Sequence, residues 1–218
     1  LISGKLSVPC INTAKDFTDP DFMKEFEACM TVAINLGISF VGIHTNAEDP
    51  ELLQTCAKGI LSRMRSTSVV ALVETEGTFS NTGRLRDFLN LFADDQLAAL
   101  WDMYTTTVVA GEDPETTITN LGEYAKHVHI HDFRREDGEV VPELIGDGGP
   151  PIPDLVNALT SVNYDGFVSL EWDPGWIPGL EDIEIILTHF ENAMRIYENT
   201  KRGKRHHYWN NQHTGKYV

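Results

Sequence analysis

The sequence predicts a (β/α) barrel, and three observations carry the prediction. Short apolar runs recur with helical segments between them, Asp-Pro pairs open several of those segments, and polar residues stand at the C-terminal ends of the apolar runs. Strand, helix and strand in alternation build βαβ units and a parallel sheet. In a barrel of parallel strands the groups that do chemistry sit at the strands' C-terminal ends and converge on one mouth. No Gly-rich GxGxxG or GKS loop follows any run, which removes the usual reason to prefer a nucleotide-binding open sheet.

The elements follow in order. Strands are expected at "LSVPC" (6–10), "SFVGIHT" (39–45), "SVVALVET" (68–75), "LAALWDMY" (97–104), "HVHIHDF" (127–133) and "GFVSLEW" (166–172). The first helix is expected in "DPDFMKEFEACMTVAINLG" (19–37), where Asp19 can cap, Pro20 suits the first turn and Gly37 suits the exit. "DPELLQTCAKGILSRM" (49–64) and "DPETTITNLGEYAKH" (113–127) repeat the Asp-Pro opening. A full eight-strand barrel takes about 250 residues. Six strands in 218 residues therefore predict that the first one or two βα units are absent from this chain, before Leu1. Residues 1–200 read as one barrel domain. The tail "KRGKRHHYWNNQHTGKYV" (201–218) is locally basic and lacks apolar periodicity, and reads as an arm for an acidic partner subunit or a mobile segment.

Composition narrows the function. The 33 acidic residues outnumber 17 Lys and Arg, and the net charge of -16 repels phosphate backbones and anionic membranes, so no nucleic acid and no membrane is expected as a partner. Cys10, Cys29 and Cys56 are odd in number, widely spaced and outside any CxxC motif, and read as reduced, buried thiols. No apolar run reaches the roughly 20 residues of a membrane span, and no secretion signal opens the chain. A cytoplasmic protein is expected, and a homo-oligomer is compatible with the sequence.

The candidate site starts from "HVHIHD" (127–132). In an extended strand His127, His129 and His131 point to one side, with Val128 and Ile130 on the other. A solvent-exposed edge strand would explain that pattern equally well. Three further runs change the balance: "VALVE", "AALWD" and "FVSLE" each pass from apolar residues straight into an acid, at Glu74, Asp102 and Glu171. A single Glu at a strand end is usually a solvated residue or a helix cap, but four strand ends of this form point to one site. Three carboxylates crowded at one mouth resist joint ionisation unless a cation sits among them. One imidazole with three carboxylates suits one divalent metal, Mn²⁺, Co²⁺, Mg²⁺ or Zn²⁺, and is too oxygen-rich for a closed structural zinc site. Trp101, Trp172 and Trp176 adjoin these residues and could wall a sugar ring or pack in the core. His44 ends the second full strand and could contact substrate or make a structural hydrogen bond.

The segment "HVHIHDFRREDGEVVPELIGDGGPPIPDLVNALTSVNYDGFVSLEW" (127–172) resembles the last two βα units of the xylose isomerase-like TIM barrels, the sugar isomerase and epimerase superfamily. The shared pattern is a His strand, a polar loop with a Gly-acid-Gly turn (Gly146, Asp147, Gly148), a helix, then "YDG" and a strand ending in Glu. "VALVETEG" and "AALWDMY" resemble the two preceding strands. The resemblance runs from about residue 5 to 195 and is densest over 68–172. It implies a divalent-metal-dependent isomerase or epimerase for a small carbohydrate, sugar phosphate or cyclitol, with Glu74, Asp102, His129 and Glu171 as ligands. It further implies that Glu74 and Glu171 are the catalytic pair, moving a proton alpha to the carbonyl through an enediolate. Arg135 matches an arginine that contacts substrate oxygens, and His131 stands where many relatives have lysine. Two positions depart from the pattern. Thr105 stands where ketose epimerases carry histidine and Glu76 where related sequences often read histidine, which leaves substrate identity and activity open. The competing readings are a keto-inositol-type dehydratase, a non-catalytic carbohydrate-binding barrel, and an abasic-DNA repair enzyme with a trinuclear zinc site. The acidity of the chain argues against the last.

Overall fold

The computed structural model describes residues 7–172 and 182–199. Its elements alternate: β1 (Cys10–Asp16), α1 (Phe22–Leu36), β2 (Phe40–His44), α2 (Pro50–Met64), β3 (Val70–Glu74), α3 (Thr82–Phe92), β4 (Leu97–Asp102), α4 (Pro114–Leu121) and β5 (Ala125–Ile130). There follow β6 (Asp132–Glu136), β7 (Glu139–Glu143), α5 (Ile152–Ser161), β8 (Val168–Leu170) and α6 (Ile183–Asn199). Six strands form one parallel sheet in the order β1-β2-β3-β4-β5-β8, and β6 with β7 forms a separate antiparallel ribbon. This curled, helix-covered sheet is the wall of a (β/α) barrel, with β1 and β8 at its edges among the described residues.

Two layers of apolar side chains follow from strand alternation. Outside the sheet, Val41, Ile43, Ala71, Val73, Ala99, Trp101, Val128 and Ile130 join Phe22, Phe26, Leu85 and Leu89 of the helices in the main core. Inside it, Leu72, Ala98 and Leu100 pack with Cys10, Phe40 and Val70. The strands between are buried on both faces, so they read as continuous apolar runs.

Capping explains the helix starts. Asp49 accepts the N–H groups of Glu51 and Leu52, with Pro50 at the first helical position. Asp113 does the same for Thr116 ahead of Pro114. Gly37 closes α1 at φ +70°, the left-handed conformation that spares glycine a Cβ clash.

Four expectations need correction. The first strand lies at 10–16, not 6–10: Pro9 lacks the N–H a ladder needs, and "CINTAKD" is polar because it lies at a sheet edge. α1 begins at Phe22, because the Asp19 carboxylate accepts the Asp21 N–H in a turn ahead of the helix instead of capping it. α4 stops at Leu121, where Gly122 turns to φ +50°, and β5 begins at Ala125. The polar loop after the histidine strand is a β-hairpin. Glu136 pairs with Glu139, and both intervening residues have positive φ, Asp137 at 49° and Gly138 at 90°, the mark of a two-residue type I′ turn.

The three cysteines are free thiols, but each is half-buried, not enclosed. Burial is the leading cause that pushes the Cys10 thiol up to about 12, so it stays protonated. Among the described residues no helix is long and apolar enough to cross a membrane. The basic tail at 201–218 and Trp176 lie outside the described residues.

Candidate metal centre

Strand parity delivers the site. On β4, Leu97, Ala99 and Trp101 face the helices, so Asp102 faces the interior with Ala98 and Leu100. On β5, Val128 and Ile130 face the helices, so His127 and His129 face inward. Asp102 pairs with His129, and His129 with Ser169, at one level of the sheet. Glu74 pairs one pleat lower, with Leu100, and Glu171 stands one pleat above Ser169, its N–H donating to Ile130 O at 2.9 Å. The tilt of strands in a barrel brings such staggered positions to one height.

The four groups converge. One potential ligand atom from each of Glu74, Asp102, His129 and Glu171 lies within 4.8 Å of the others, and the first three residues are buried. His129 Nδ1 stands 2.8 Å from Glu171 Oε1 and 3.2 Å from Glu74 Oε1, yet neither contact has the geometry of a hydrogen bond. A buried ring nitrogen that faces two carboxylates without hydrogen-bonding to either is a donor set suited to sharing a cation. The residues present therefore fit a divalent ion, with oxygen donors in the majority.

Electrostatics gives the same answer. Burial and the charge of Glu171 push the Asp102 carboxyl up to about 7. Burial disfavours a charged His129, but Glu171 and Glu74 outweigh it and raise the ring to about 10. Burial also acts on Glu171, whose carboxyl is nonetheless held below its ordinary value by His129. The metal-free set thus keeps protons where a dication would otherwise sit.

The surrounding groups are positioned rather than free. The Asp102 carboxylate accepts the Thr105 N–H at 3.0 Å, and the Asp102 N–H donates to Thr75 Oγ1 at 2.8 Å. Thr105 opens a π-helical turn over Thr105–Val109, and its hydroxyl donates to the Thr75 carbonyl. A threonine here steadies the aspartate strand end. His127, one pleat deeper, is 1% exposed, shares a 3.0 Å hydrogen bond with Ser169 Oγ and meets the His129 ring edge-on. Burial drives its ring down to about 3, so it is a neutral packing partner.

Of the residues expected to touch substrate, His131 lies at the set, and Trp172 and His44 stand at strand ends. His131 is 3.8 Å from Asp102 Oδ1 and 3.9 Å from Glu171 Oε2, with Tyr104 edge-on at 4.7 Å. Trp172 follows Glu171 and is half-buried, and its indole N–H has no hydrogen-bond partner among the described residues. His44 ends β2, in register with Asp16. Two lie elsewhere. Trp101 has no exposed surface, faces the helices and donates to Thr106 Oγ1 at 3.0 Å, because it has opposite strand parity to Asp102. Arg135 is exposed on β6, opposite Val140.

Asp132 has a role that no sequence pattern marks. It is 2% exposed and accepts the N–H groups of Phe133, Gly146 and Gly148. That carboxylate explains the Gly-acid-Gly turn. A Cβ on Gly148 would meet Asp132 Oδ1 at 2.2 Å and Phe133 O at 2.4 Å. Gly148→Ala is expected to destabilise the fold by about 2 kcal/mol, read as a lowered urea midpoint at unchanged slope, since backbone must move to admit the methyl. The same holds for Tyr104 and Phe133, whose rings meet at 5.1 Å. They form with His131 an aromatic wall whose partners come from two different strand ends.

Comparison with known proteins supplies the family. A family model described as xylose isomerase-like TIM barrel matches residues 5–192. No curated protein matches the sequence. Among solved structures the chain resembles an L-ribulose 3-epimerase, with TM-score 0.73 and 14% identity over 89% of this chain and 76% of that one. The IOLI protein with a bound zinc atom gives TM-score 0.71 and 15% identity, covering 89% of this chain and 76% of that one. A probable 3-DHS dehydratase, AsbF from Bacillus anthracis, gives 0.68 and 16%, covering 89% and 77%. Likeness at this identity is likeness of fold, and the family match spans nearly the whole of that fold: the chain belongs to the xylose isomerase-like TIM barrel family.

Proposed function

We propose that the chain is a divalent-metal-dependent isomerase or epimerase of a small carbohydrate, transferring a proton at the carbon next to a carbonyl. The observation that carries this reading is the placement of two glutamates, at the end of β3 and directly after β8, on either side of a buried aspartate and histidine in strand order. Glu74, Asp102, His129 and Glu171 would hold the metal, which when bound polarises a carbonyl and acidifies its alpha proton. The chain's own residues do the rest. Glu74 and Glu171 reach the mouth from opposite flanks, so one carboxylate removes the proton and the other returns it on the far face. Asp102, held by Thr75 and Thr105, and His129, packed against His127, stand between the two glutamates in strand order. His131, edge-on to Tyr104, flanks the set on the Asp102 side.

The test has two parts. Metal content by mass spectrometry is expected to be near stoichiometric in the wild type and lost in a Glu74→Gln, Glu171→Gln double variant. Loaded protein in D₂O is expected to exchange the alpha proton of at least one ketose in a panel followed by NMR. Metal-free protein after incubation with Mn²⁺ would overturn the metal site. A product lighter by one water would replace epimerisation with dehydration.

A further inference from the structure

Three consecutive threonines follow the exit of β4, and their hydroxyls are used differently. Thr107 stays within its own turn and donates to Met103 O at 2.7 Å. Thr106 is fully buried. Its Oγ1 accepts the Trp101 indole N–H at 3.0 Å and stands 3.2 Å from the carbonyls of Asp102 and Met103. Thr105 reaches the exit of a second strand: its hydroxyl donates to the carbonyl of Thr75, the residue directly after Glu74.

That bond links two members of the four-residue set through their neighbours. The Thr105 N–H donates to Asp102 Oδ1 at 3.0 Å and so restrains the rotation of that carboxylate. Thr75 holds the Asp102 peptide on both sides, accepting its N–H at 2.8 Å and donating to its carbonyl at 3.2 Å. The Thr75 N–H itself donates to Leu100 O at 3.0 Å, so the β3 exit is still on the ladder where Thr105 meets it. The turn that carries Thr105 is anchored at its far end, with the Ala110 N–H on Thr105 O at 3.1 Å and the Glu112 N–H on Thr106 O at 2.9 Å. A π-helical turn is rare and occurs most often at functional sites. The β-branch of threonine restricts χ1, which holds the hydroxyl on its acceptor. The Thr105 side chain is therefore a strut between the exits of β3 and β4, the neighbouring strands that deliver Glu74 and Asp102.

We propose that Thr105 is a positioning residue for the metal centre, setting the spacing of the Glu74 and Asp102 carboxylates and through it the affinity for a divalent ion. The inference rests on the reading above, that Glu74, Asp102, His129 and Glu171 hold that ion. Ligating carboxylates depend on the groups that orient them, and losing such a group weakens metal binding about 10- to 100-fold. Thr105 acts through two atoms. Its backbone N–H, which meets Asp102, is supplied by any residue but proline. Its hydroxyl, which meets Thr75, is missing from valine at nearly the same shape, so the strut is removable without reshaping the turn.

The test titrates Mn²⁺ alone into metal-free protein and counts the free ion by its electron paramagnetic resonance signal, so that neither substrate nor turnover enters. Thr105→Val is expected to weaken Mn²⁺ binding by about tenfold or more, and Thr105→Ser, which keeps the hydroxyl, to retain most of the wild-type affinity. Thr107→Val is the control. It deletes a hydroxyl bond of the same turn that ends on Met103, and it is expected to bind Mn²⁺ as the wild type does. Should the valine protein at 105 not fold, Thr105→Ala removes the same hydroxyl and carries the same expectation. Wild-type affinity in the variant that lacks the Thr105 hydroxyl, an equal loss in Thr107→Val, or an equal loss in Thr105→Ser overturns the inference and leaves the metal centre standing. Wild-type protein that binds no Mn²⁺ overturns the metal centre, and this inference falls with it.

Discussion

Glu171→Gln is expected to lower turnover by about 10³-fold or more with the fold retained, because it removes a proton-transfer group while keeping its volume. Glu171 follows β8 directly, and its backbone N–H is anchored on Ile130, so the substitution leaves the strand end in place. Two effects are separable. The loss of one oxygen donor weakens the metal, which added Mn²⁺ restores by mass action. The loss of the base persists at saturating metal, where alpha-proton exchange in D₂O reports it alone. Full turnover by a metal-loaded Glu171→Gln protein would remove Glu171 from its role.

Metal uptake is expected to release protons, and affinity for Mn²⁺ to rise by about tenfold or more between about pH 6 and 8. In the metal-free protein Asp102 is raised to about 7 and His129 to about 10, so both hold protons that a dication must displace. The sign for stability follows from linkage. Each group binds protons more tightly folded than unfolded. Asp102 contributes stability that is complete below its ordinary value of 3.8 and lost as pH rises through about 7. The contribution of His129 is complete below 6.5 and lost through about 10. Metal-free protein should therefore melt at falling temperatures as pH is raised from about 6 to 9, and Mn²⁺-loaded protein should not. Calorimetric titration in buffers of different ionisation enthalpy counts the protons. Proton-neutral uptake, or parallel melting of the two forms across that range, would show that Asp102 and His129 do not meet the ion.

The candidate site was legible in the sequence because barrel strands are buried on both faces. "VALVE", "AALWD" and "FVSLE" run apolar to the point where the strand leaves the wall, and that point is the mouth. The same logic, applied to parity, would have placed Trp101: a residue adjacent to an inward Asp102 must face outward. β1 was misplaced because an edge strand needs no apolar alternation, and backbone pairing to β2 leaves no local pattern in "CINTAKD". The hairpin did carry a signal, since Asp137-Gly138 between extended runs is a type I′ turn sequence. Asp132 carried none. Its role depends on amide groups of Gly146 and Gly148, which only the folded loop brings beside it.

Asp132 also decides how force and motion pass through the hairpin. Its carboxylate rivets the root of β6 to the Gly146–Gly148 turn, the Gly149 N–H fastens the same turn to Phe133 O, and His189 of α6 holds Ile145 O from behind. Among the described residues the exposed tip at Asp137-Gly138 has no such fastening. The ribbon is therefore a stiff bracket with a soft end, and a protease nick at the tip would leave two segments still bolted beside His131.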